Sequence, residues 1–458
     1  MDQNLSPDAI TLTKTMCGRL SAARVGDLSP AAAHQARRGV LDWIGCALAG
    51  SGHKTISTLL DVLQDERRRA AEGATVLGRK LRLGLRDAPL ANGQMGHVLD
   101  FDDTHMGGVV LHASSPVLAA LFALSERAPA GHEPVSGADL MLAYAVGFEA
   151  GVRAGWSAPG HHKGGWHLTG TLGTIAAGVA GGKLLKLDAQ RLTYAMGIAA
   201  TQAAGMQQNR GTMCKSFHAG KSAANGVLAA LLAERGFDST QEIIEGRKGF
   251  SRIYSDVAAP EQLNARLDQG WLIETNGHKP YACGVVLHPL IDAVIAIRNR
   301  HQIDPATVSE ISLRVHPFVL SITDVVDPSS GLQSKFSTLH SAAVALVDGA
   351  AGIVQYSDQK ARDPVVAALR GKVKAQADET LGKDEAHAVI VADGKRHEVH
   401  IPHAAGTAEN PMSDAAIEAK FLANATPVIG AERAGRARDL VWSLDKQPDM
   451  RELIGLLA

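Results

Sequence analysis

The stretch Gly211-Thr-Met-Cys-Lys215-Ser-Phe-His218-Ala-Gly220-Lys221-Ser222 brings two lysines and a histidine into a half of the chain that is otherwise rich in alanine, glycine and leucine. Downstream, residues 223–234 have the apolar composition of a buried helix. Catalytic groups often lie in loops between packed elements, because the scaffold positions them there without burying an unpaired charge. We therefore predict that residues 211–222 form a loop at the floor of an active site.

The composition excludes several classes of protein. The 458 residues suffice for two domains. Because 46 basic residues balance 47 acidic ones, we expect neither nucleic acid nor an anionic membrane as a partner. The most apolar run, residues 168–187, contains two lysines and is predicted to be a buried helix. Without a signal-peptide pattern or CxxC spacing among the four cysteines, the chain is expected to be cytoplasmic and to lack a zinc ribbon or an iron–sulfur cluster.

Apolar residues at helical spacing dominate the first 270 residues. A serine followed by proline marks the first clear helix start, at Ser29-Pro30. The pattern predicts helices at residues 30–49, 56–71, 88–99, 116–126, 137–155, 169–185, 190–204 and 222–234.

The pattern changes near residue 271. Alternating residues predict strands at 310–316 and 373–377, and Asp393-Gly394 predicts the turn of a hairpin over 388–401. Helices are predicted at 286–299, 341–347, 413–422 and 434–444. The predicted fold is therefore mainly α, with an all-helical domain of residues 1–270 and 405–458 and a smaller α+β domain of residues 271–404.

Two further segments carry candidate acid/base groups. Asp100, Asp102, Asp103 and Thr104 precede His112, a residue type that moves protons near neutral pH. A solvated acidic loop before a helix is an equally good interpretation. Carboxylates and histidine also suit a metal, but the spacing matches neither a calcium loop nor HExxH, so no metal is predicted. His167 precedes a helix start, where backbone amides attract anions, although a lone histidine is more often a packed residue.

The lysines need a separate explanation. Gly220-Lys221-Ser222 resembles the end of a phosphate loop, but that motif requires glycine at position 215, which is lysine here. A lysine between apolar helices needs an anion or a lowered pKa, so Lys215 is a candidate carboxylate ligand or base. Lys279 and Tyr281, near the predicted domain junction, suit a pocket wall but equally a surface linker. His340 opens a predicted helix, and on its own a structural role is favoured.

Taken together, these segments resemble the MmgE/PrpD family, which includes 2-methylcitrate dehydratase, cis-aconitate decarboxylase and iminodisuccinate epimerase. The resemblance covers nearly the whole chain in the right order. It is carried by Asp100-Phe-Asp-Asp-Thr104 with His112, Trp166-His167 with Thr171-Leu-Gly-Thr, residues 211–220, Lys279-Pro-Tyr281 with His288, and Lys335-Phe-Ser337.

The resemblance implies a homodimer with a cofactor-free site for a small polycarboxylate between the two domains. By position, it implies catalytic roles for Asp100, His112, His167 and Lys215. The residues that it and the motifs suggest for substrate binding are Thr104, His218, Lys221, Lys279, Tyr281 and His340, the last standing where the decarboxylase has a tyrosine.

Two departures bear on the substrate. A His-Pro-Ser-Asp-Asn-like run of the dehydratases is His112-Ala-Ser-Ser-Pro116 here, and a Pro-Cys-Cys-Arg-like run is Ala282-Cys-Gly-Val285, without the arginine that would clamp a carboxylate. The sequence therefore predicts a lyase or isomerase that removes a proton or CO2 from a di- or tricarboxylate. The alternatives are a 2-methylcitrate-type dehydratase and, in another class, a non-catalytic carboxylate-binding protein.

Overall fold

A computed structural model describes residues 11–65, 73–127 and 133–458. Its helices of four or more residues are α1 to α19: Leu12–Ala22, Pro30–Ser51, Lys54–Asp65, Asp87–Val98, Ser114–Ser125, Gly137–Trp156, Leu168–Leu184, Ala189–Ala200, Met213–Glu234, Phe250–Ile253, His288–His301, Pro317–Ile322, Gly331–Ser334, Thr338–Asp348, Asp358–Ala361, Pro364–Arg370, Asp414–Ile429, Ala431–Trp442 and Met450–Leu456. The strands are β1 to β6: Ala74–Val76, Leu81–Leu83, Val308–Val315, Val373–Ala377, Ala386–Ala392 and Lys395–Ile401.

The larger hydrophobic core is helical. Helix α7, rich in glycine and alanine, packs against α5, α6, α8 and α9 at its centre. The C-terminal helices return to this core, because α17 packs on α2 and α19 on α5. Phe421 of α17 and Leu453 of α19 are accordingly buried in the same cluster as Trp43 of α2.

The smaller core lies on a four-stranded sheet with strand order β4-β3-β5-β6. Strand β3 is parallel to β4 and antiparallel to β5, and β5 forms a hairpin with β6. Asp393 and Gly394 both have positive φ, of 50° and 70°, which is the two-residue hairpin turn that the Asp-Gly pair predicts. Helices α11 and α14 cover the sheet, so this unit is the α+β part of the predicted fold class, which is confirmed.

The prediction of a loop at 211–222 is wrong from residue 213 onward. Helix α9 begins at Met213, directly after the extended residue Thr212, and continues to Glu234. Glycine and charged residues suggested a loop, but tertiary packing uses Gly220 inside the helix. A Cβ atom on Gly220 would lie 2.1 Å from the carbonyl oxygen of Leu90 in α4. This close approach packs the N-terminal half of α4 against the third turn of α9.

The other predicted helices and strands are present with ends shifted by at most four residues, except that α17 continues seven residues past the predicted end at residue 422. The predicted helix at 56–71 is observed as α3, and its part beyond residue 65 lies outside the described residues. The short hairpin of β1 and β2 was not predicted. Within the described residues, no helix is both long enough and apolar enough to cross a membrane.

Gly220→Ala is expected to lower the free energy of unfolding by about 1–3 kcal/mol, because the added methyl group overpacks the contact between α4 and α9. Gly435→Ala is the matched control, since a Cβ at that helical position would have no atom of the described part of the chain within 4 Å. The control is expected to raise the free energy by about 0.4–1 kcal/mol. Urea unfolding measures both, and a Gly220→Ala protein as stable as the wild type would contradict the close helix contact.

Candidate functional site

The site is built on the turn that follows α4. Asp100 has a φ of 52°, in the left-handed region that aspartate tolerates better than most residues. Its carboxylate pairs with two ammonium groups, those of Lys215 in α9 and of Lys279. Lys335 supports the same turn from the α+β domain, since its Nζ donates to the carbonyl oxygens of Leu99 at 2.7 Å and Ala282 at 2.6 Å.

The pKa values of the three charged groups in this cluster shift in different directions. Burial alone would raise the pKa of Asp100, but Lys215 and Lys279 outweigh it and hold the pKa well below its usual range. For Lys279, the attraction of Asp100 and Asp102 exceeds the effect of burial, and the pKa is raised. For Lys215, burial prevails over Asp100 and lowers the pKa. Asp100 is therefore an anion and Lys279 a firmly held cation.

Four histidines form a row beside the carboxylate. The rings of His97 and His112 are 4.9 Å apart between centroids, and His97 stacks on His167 at 5.6 Å. His167 continues the row, with its Nδ1 3.0 Å from Nδ1 of His218. Burial, followed by the nearby lysines, lowers the pKa of His112 and of His167 well below the usual value. Both rings are therefore neutral at pH 7.

One carboxylate, that of Asp102, orients this row through His97. Asp102 accepts hydrogen bonds from Nδ1 of His97 at 2.8 Å and from Oγ of Ser115 at 2.7 Å. Burial tends to raise the pKa of Asp102, but the adjacent His97 holds it below its usual value. Asp103 instead has a pKa raised to about 7, by burial and by Asp102.

A narrow cavity of about 60 Å³ opens beside the turn. It lies between the two domains, since the helical domain supplies its polar side and the α+β domain most of its apolar side. Its lining consists of Asp100, Val110, His112, His162, His167, Leu168, Arg210, Lys215, Gly284, Val285, Val286, Phe318, Ile322, Thr323 and Phe336.

Seven of the ten predicted site residues come together here. Asp100, His112, His167 and Lys215 line the cavity. Three more lie directly behind these four and bond to them. Thr104 Oγ1 is 2.8 Å from His112 Nδ1, His218 contacts His167, and Lys279 pairs with Asp100.

The other three predicted residues do not line the cavity. Nζ of Lys221 donates to the carbonyl oxygens of Gly170, Gln202 and Ala204, at 3.0–3.3 Å. The Tyr281 hydroxyl donates to Asp292 at 2.5 Å, inside the α+β domain. Nε2 of His340 lies 2.9 Å from the carbonyl oxygen of Gln355, also in that domain.

The structure adds residues that the sequence analysis did not select. His97 lies in the last turn of α4, three residues before Asp100, and a histidine within a turn of an acidic cluster was a usable signal. Lys335 stood in a quoted motif without a predicted role. Arg210 precedes the lysine segment directly and lines the cavity, which its position beside Gly211 could have suggested.

Only part of this site suits a metal ion. Donor atoms of His97, Asp102 and His112 lie within 4.8 Å of one another. However, Nδ1 of His97 is already bonded to Asp102, and Nδ1 of His112 lies 2.7 Å from the carbonyl oxygen of Asp103. The two ammonium groups around Asp100 also oppose a nearby cation. The arrangement is better suited to an anion.

Comparison with known proteins identifies the family of the chain. The model of the MmgE/PrpD N-terminal domain matches residues 14–263, and that of the MmgE/PrpD C-terminal domain matches residues 281–446. A cis-aconitate decarboxylase from Aspergillus terreus is 29% identical, with 97% of this chain and 96% of the relative covered. Relatives of the same name from Mus musculus and Homo sapiens are 27% and 25% identical, with 98% of this chain and 93% and 94% of the relatives covered. The chain therefore belongs to the MmgE/PrpD family and is a lyase of that family.

Proposed function

We propose that the chain is a cofactor-independent decarboxylase of a small unsaturated tricarboxylate, with cis-aconitate as the first candidate. The observation that carries this proposal is the cavity in which Lys215 and Asp100 face two neutral histidines, His112 and His167. The names of the relatives from A. terreus, mouse and human support the choice of substrate.

The reaction breaks one bond and consumes one proton. In cis-aconitate, one carboxylate is attached to a methylene group next to the double bond. When its C–C bond breaks, CO2 leaves and the electron pair of that bond forms a new terminal C=C bond. The electron pair of the old double bond moves to the carbon that bears another carboxylate, and a proton adds there. Negative charge grows on an already anionic molecule, so fixed cations stabilise the transition state.

The lysines supply that positive charge. Asp100 shares its carboxylate between Lys215 and Lys279, and each ammonium group has three N–H donors. Lys215 lines the cavity and has donors left for a substrate carboxylate. Lys279, behind it, keeps Asp100 in place. Because Lys215 is already paired with Asp100, its ammonium group keeps its position when no substrate is bound and can attract an incoming carboxylate.

The histidines handle the proton. Nδ1 of His112 lies 2.7 Å from a backbone carbonyl oxygen, which only accepts, so this nitrogen carries the hydrogen. Nε2 of the neutral ring is a proton acceptor, which takes up from solvent the proton that the reaction consumes. We assign the proton donor to His167. If its Nδ1 accepts from His218, Nε2 of His167 carries a hydrogen for the substrate. Substrate carboxylates raise the pKa of both rings and favour their charged forms.

Proton NMR in D2O tests the function, with cis-aconitate, 2-methylcitrate and iminodisuccinate as substrates. We expect CO2 release from cis-aconitate and one deuterium in a methylene group of the product. His167→Asn is expected to slow this incorporation by about 10²–10⁴-fold, as for loss of a general acid. His397→Asn, on strand β6 away from the cavity, is the matched control.

The other outcomes are equally informative. Loss of water from 2-methylcitrate would assign a dehydratase, and exchange into iminodisuccinate without loss of CO2 would assign an epimerase. Binding of these acids without any reaction would support the non-catalytic alternative and overturn the proposed function.

A further inference from the structure

A second, larger cleft leads to the cavity. It has a volume of about 510 Å³ and lies between the loop after α6, from the helical domain, and α12 of the α+β domain. The cleft and the cavity are continuous, because both are lined by the same six residues: Val110, His162, Leu168, Arg210, Phe318 and Ile322. A ligand that occupies the cavity therefore faces the cleft through this shared mouth.

The cleft is lined by one sign of charge. Lys163, Arg210 and Lys383 contribute permanent cations, and three histidines accompany them. No aspartate or glutamate is among the described residues that line it. A cleft with cations and no acid between low-dielectric walls concentrates anions.

Arg210 is the cation at the shared mouth. Its Nη2 donates to Oε1 of Gln207, and Nε2 of Gln207 donates to the carbonyl oxygens of His162 at 2.6 Å and Trp166 at 2.9 Å. This chain of bonds ties the guanidinium to the histidine-rich loop. Burial lowers the pKa of Arg210 and the charge of Asp324 partly offsets this, but no carboxylate among the described residues lies within ion-pair distance of the guanidinium. Several of its five N–H donors therefore remain for a ligand.

Lys383 adds to the positive field of the cleft, whereas its neighbour His162 does not. Lys383 lies over the ring of Phe318 at 4.9 Å, and His162 contacts the same ring edge-on at 5.3 Å. Burial, then Arg210 and Lys383, lower the pKa of His162 to about 4. His162 is therefore neutral at pH 7 and adds a hydrogen bond rather than a charge.

We infer that Arg210 binds one carboxylate of the substrate at the mouth of the cavity, while the lysine cluster at Asp100 binds the carboxylates deeper inside. This inference rests on the proposed function and narrows it, because it makes the site selective for three carboxylates over two. The guanidinium grips a carboxylate in two-point geometry, a role for which lysine is a poor substitute.

Calorimetric titration with unreactive acids tests the inference. Propane-1,2,3-tricarboxylate carries three carboxylates, whereas glutarate and methylsuccinate each lack one of them. Hydrogen bonds to charged groups contribute about 1.5–3 kcal/mol, so we expect Arg210→Gln to weaken tricarboxylate binding by about 10–100-fold. The two dicarboxylates are expected to place both carboxylates at the lysine cluster and none at Arg210. Their dissociation constants should therefore change by less than about threefold in Arg210→Gln.

Two further variants test whether the effect is specific to Arg210 and to its guanidinium group. Lys163→Gln removes one charge from the outer cleft only, and should leave the ratio of tricarboxylate to dicarboxylate affinity unchanged. Arg210→Lys keeps the charge and should recover only part of the lost affinity. Equal weakening of all three acids by Arg210→Gln, or no weakening, would overturn the inference. Thermal unfolding of each variant shows that it is folded before it is titrated.

The test is independent of turnover. If no acid of the NMR panel reacts but Arg210→Gln selectively loses the tricarboxylate, the proposed decarboxylation fails and the carboxylate site stands. If cis-aconitate reacts but Arg210→Gln leaves the ratio of tricarboxylate to dicarboxylate affinity unchanged, the proposed function stands and the inference fails.

Discussion

Lys215→Ala is expected to reduce kcat by about 10²–10³-fold, the usual cost of removing one group that stabilises developing negative charge. The lysine lines the cavity, whereas its partner Asp100 keeps a second ion pair with Lys279. Asp100 is therefore not left as an unpaired buried charge, and the fold should persist. Steady-state kinetics with the acid identified by NMR measures kcat and KM separately.

Lys221→Ala is the matched comparison on the same helix. Its ammonium group donates to three backbone carbonyls and does not line the cavity, so its loss should lower stability rather than kcat. Similar losses of kcat in both variants would contradict the placement of the two lysines. A raised KM with unchanged kcat in Lys215→Ala would show that this lysine binds the substrate and the transition state equally.

These two lysines show where sequence reasoning reached its limit. Residues 211–222 were predicted as a loop, in which Lys215 and Lys221 were free to face the same site. In a helix with 3.6 residues per turn, two side chains that are six residues apart, such as those of Lys215 and Lys221, differ in direction by about 240° around the helix axis. Once α9 begins at Met213, Lys221 must point away from Lys215. The motif identified both lysines as candidates, but the directions of their side chains depend on where the helix begins.

Other parts of the site were predictable to different degrees. Asp100 and His112 were found because an acidic cluster and a nearby histidine are recognisable in sequence. Lys279 was selected from its place near the predicted domain junction, and the family resemblance then gave it a role in substrate binding. His97 was missed, since its role depends on a stacking contact with His167, which is 70 residues away in the chain. The fold was more accessible, because local patterns such as Ser29-Pro30 and Asp393-Gly394 determine their own geometry.

The buried histidines lead to a second large effect, a loss of stability in mild acid. His105, His161, His288 and His340 are at most 1% exposed, and burial lowers their pKa values to about 4, 3, 3 and 4. In the unfolded chain their pKa is about 6.5. Below that pH the unfolded state binds more protons than the folded state, so the free energy of unfolding falls as the pH falls.

Asp103 acts in the opposite direction. Burial and Asp102 raise its pKa to about 7, so the folded state takes up this proton first and gains stability as the pH falls through 7. Between about pH 7.5 and about pH 5.5, each histidine costs about 1.4 kcal/mol and Asp103 returns about 2 kcal/mol. The four histidines prevail, and the expected net loss is about 3–4 kcal/mol. His112 and His167, whose pKa values are also lowered, increase it further.

Urea unfolding across this pH range measures the loss, and His161→Phe provides its control. His161 packs against Phe250 and Tyr254, and neither of its ring nitrogens has a hydrogen-bond partner among the described residues, so phenylalanine preserves the packing without the proton. The variant should lose about 1.4 kcal/mol less than the wild type over the same range, because one fewer proton separates the two states. A wild-type stability that is flat between these pH values would mean that the histidines protonate in the folded protein. Burial would then not be enough to keep these four histidines neutral.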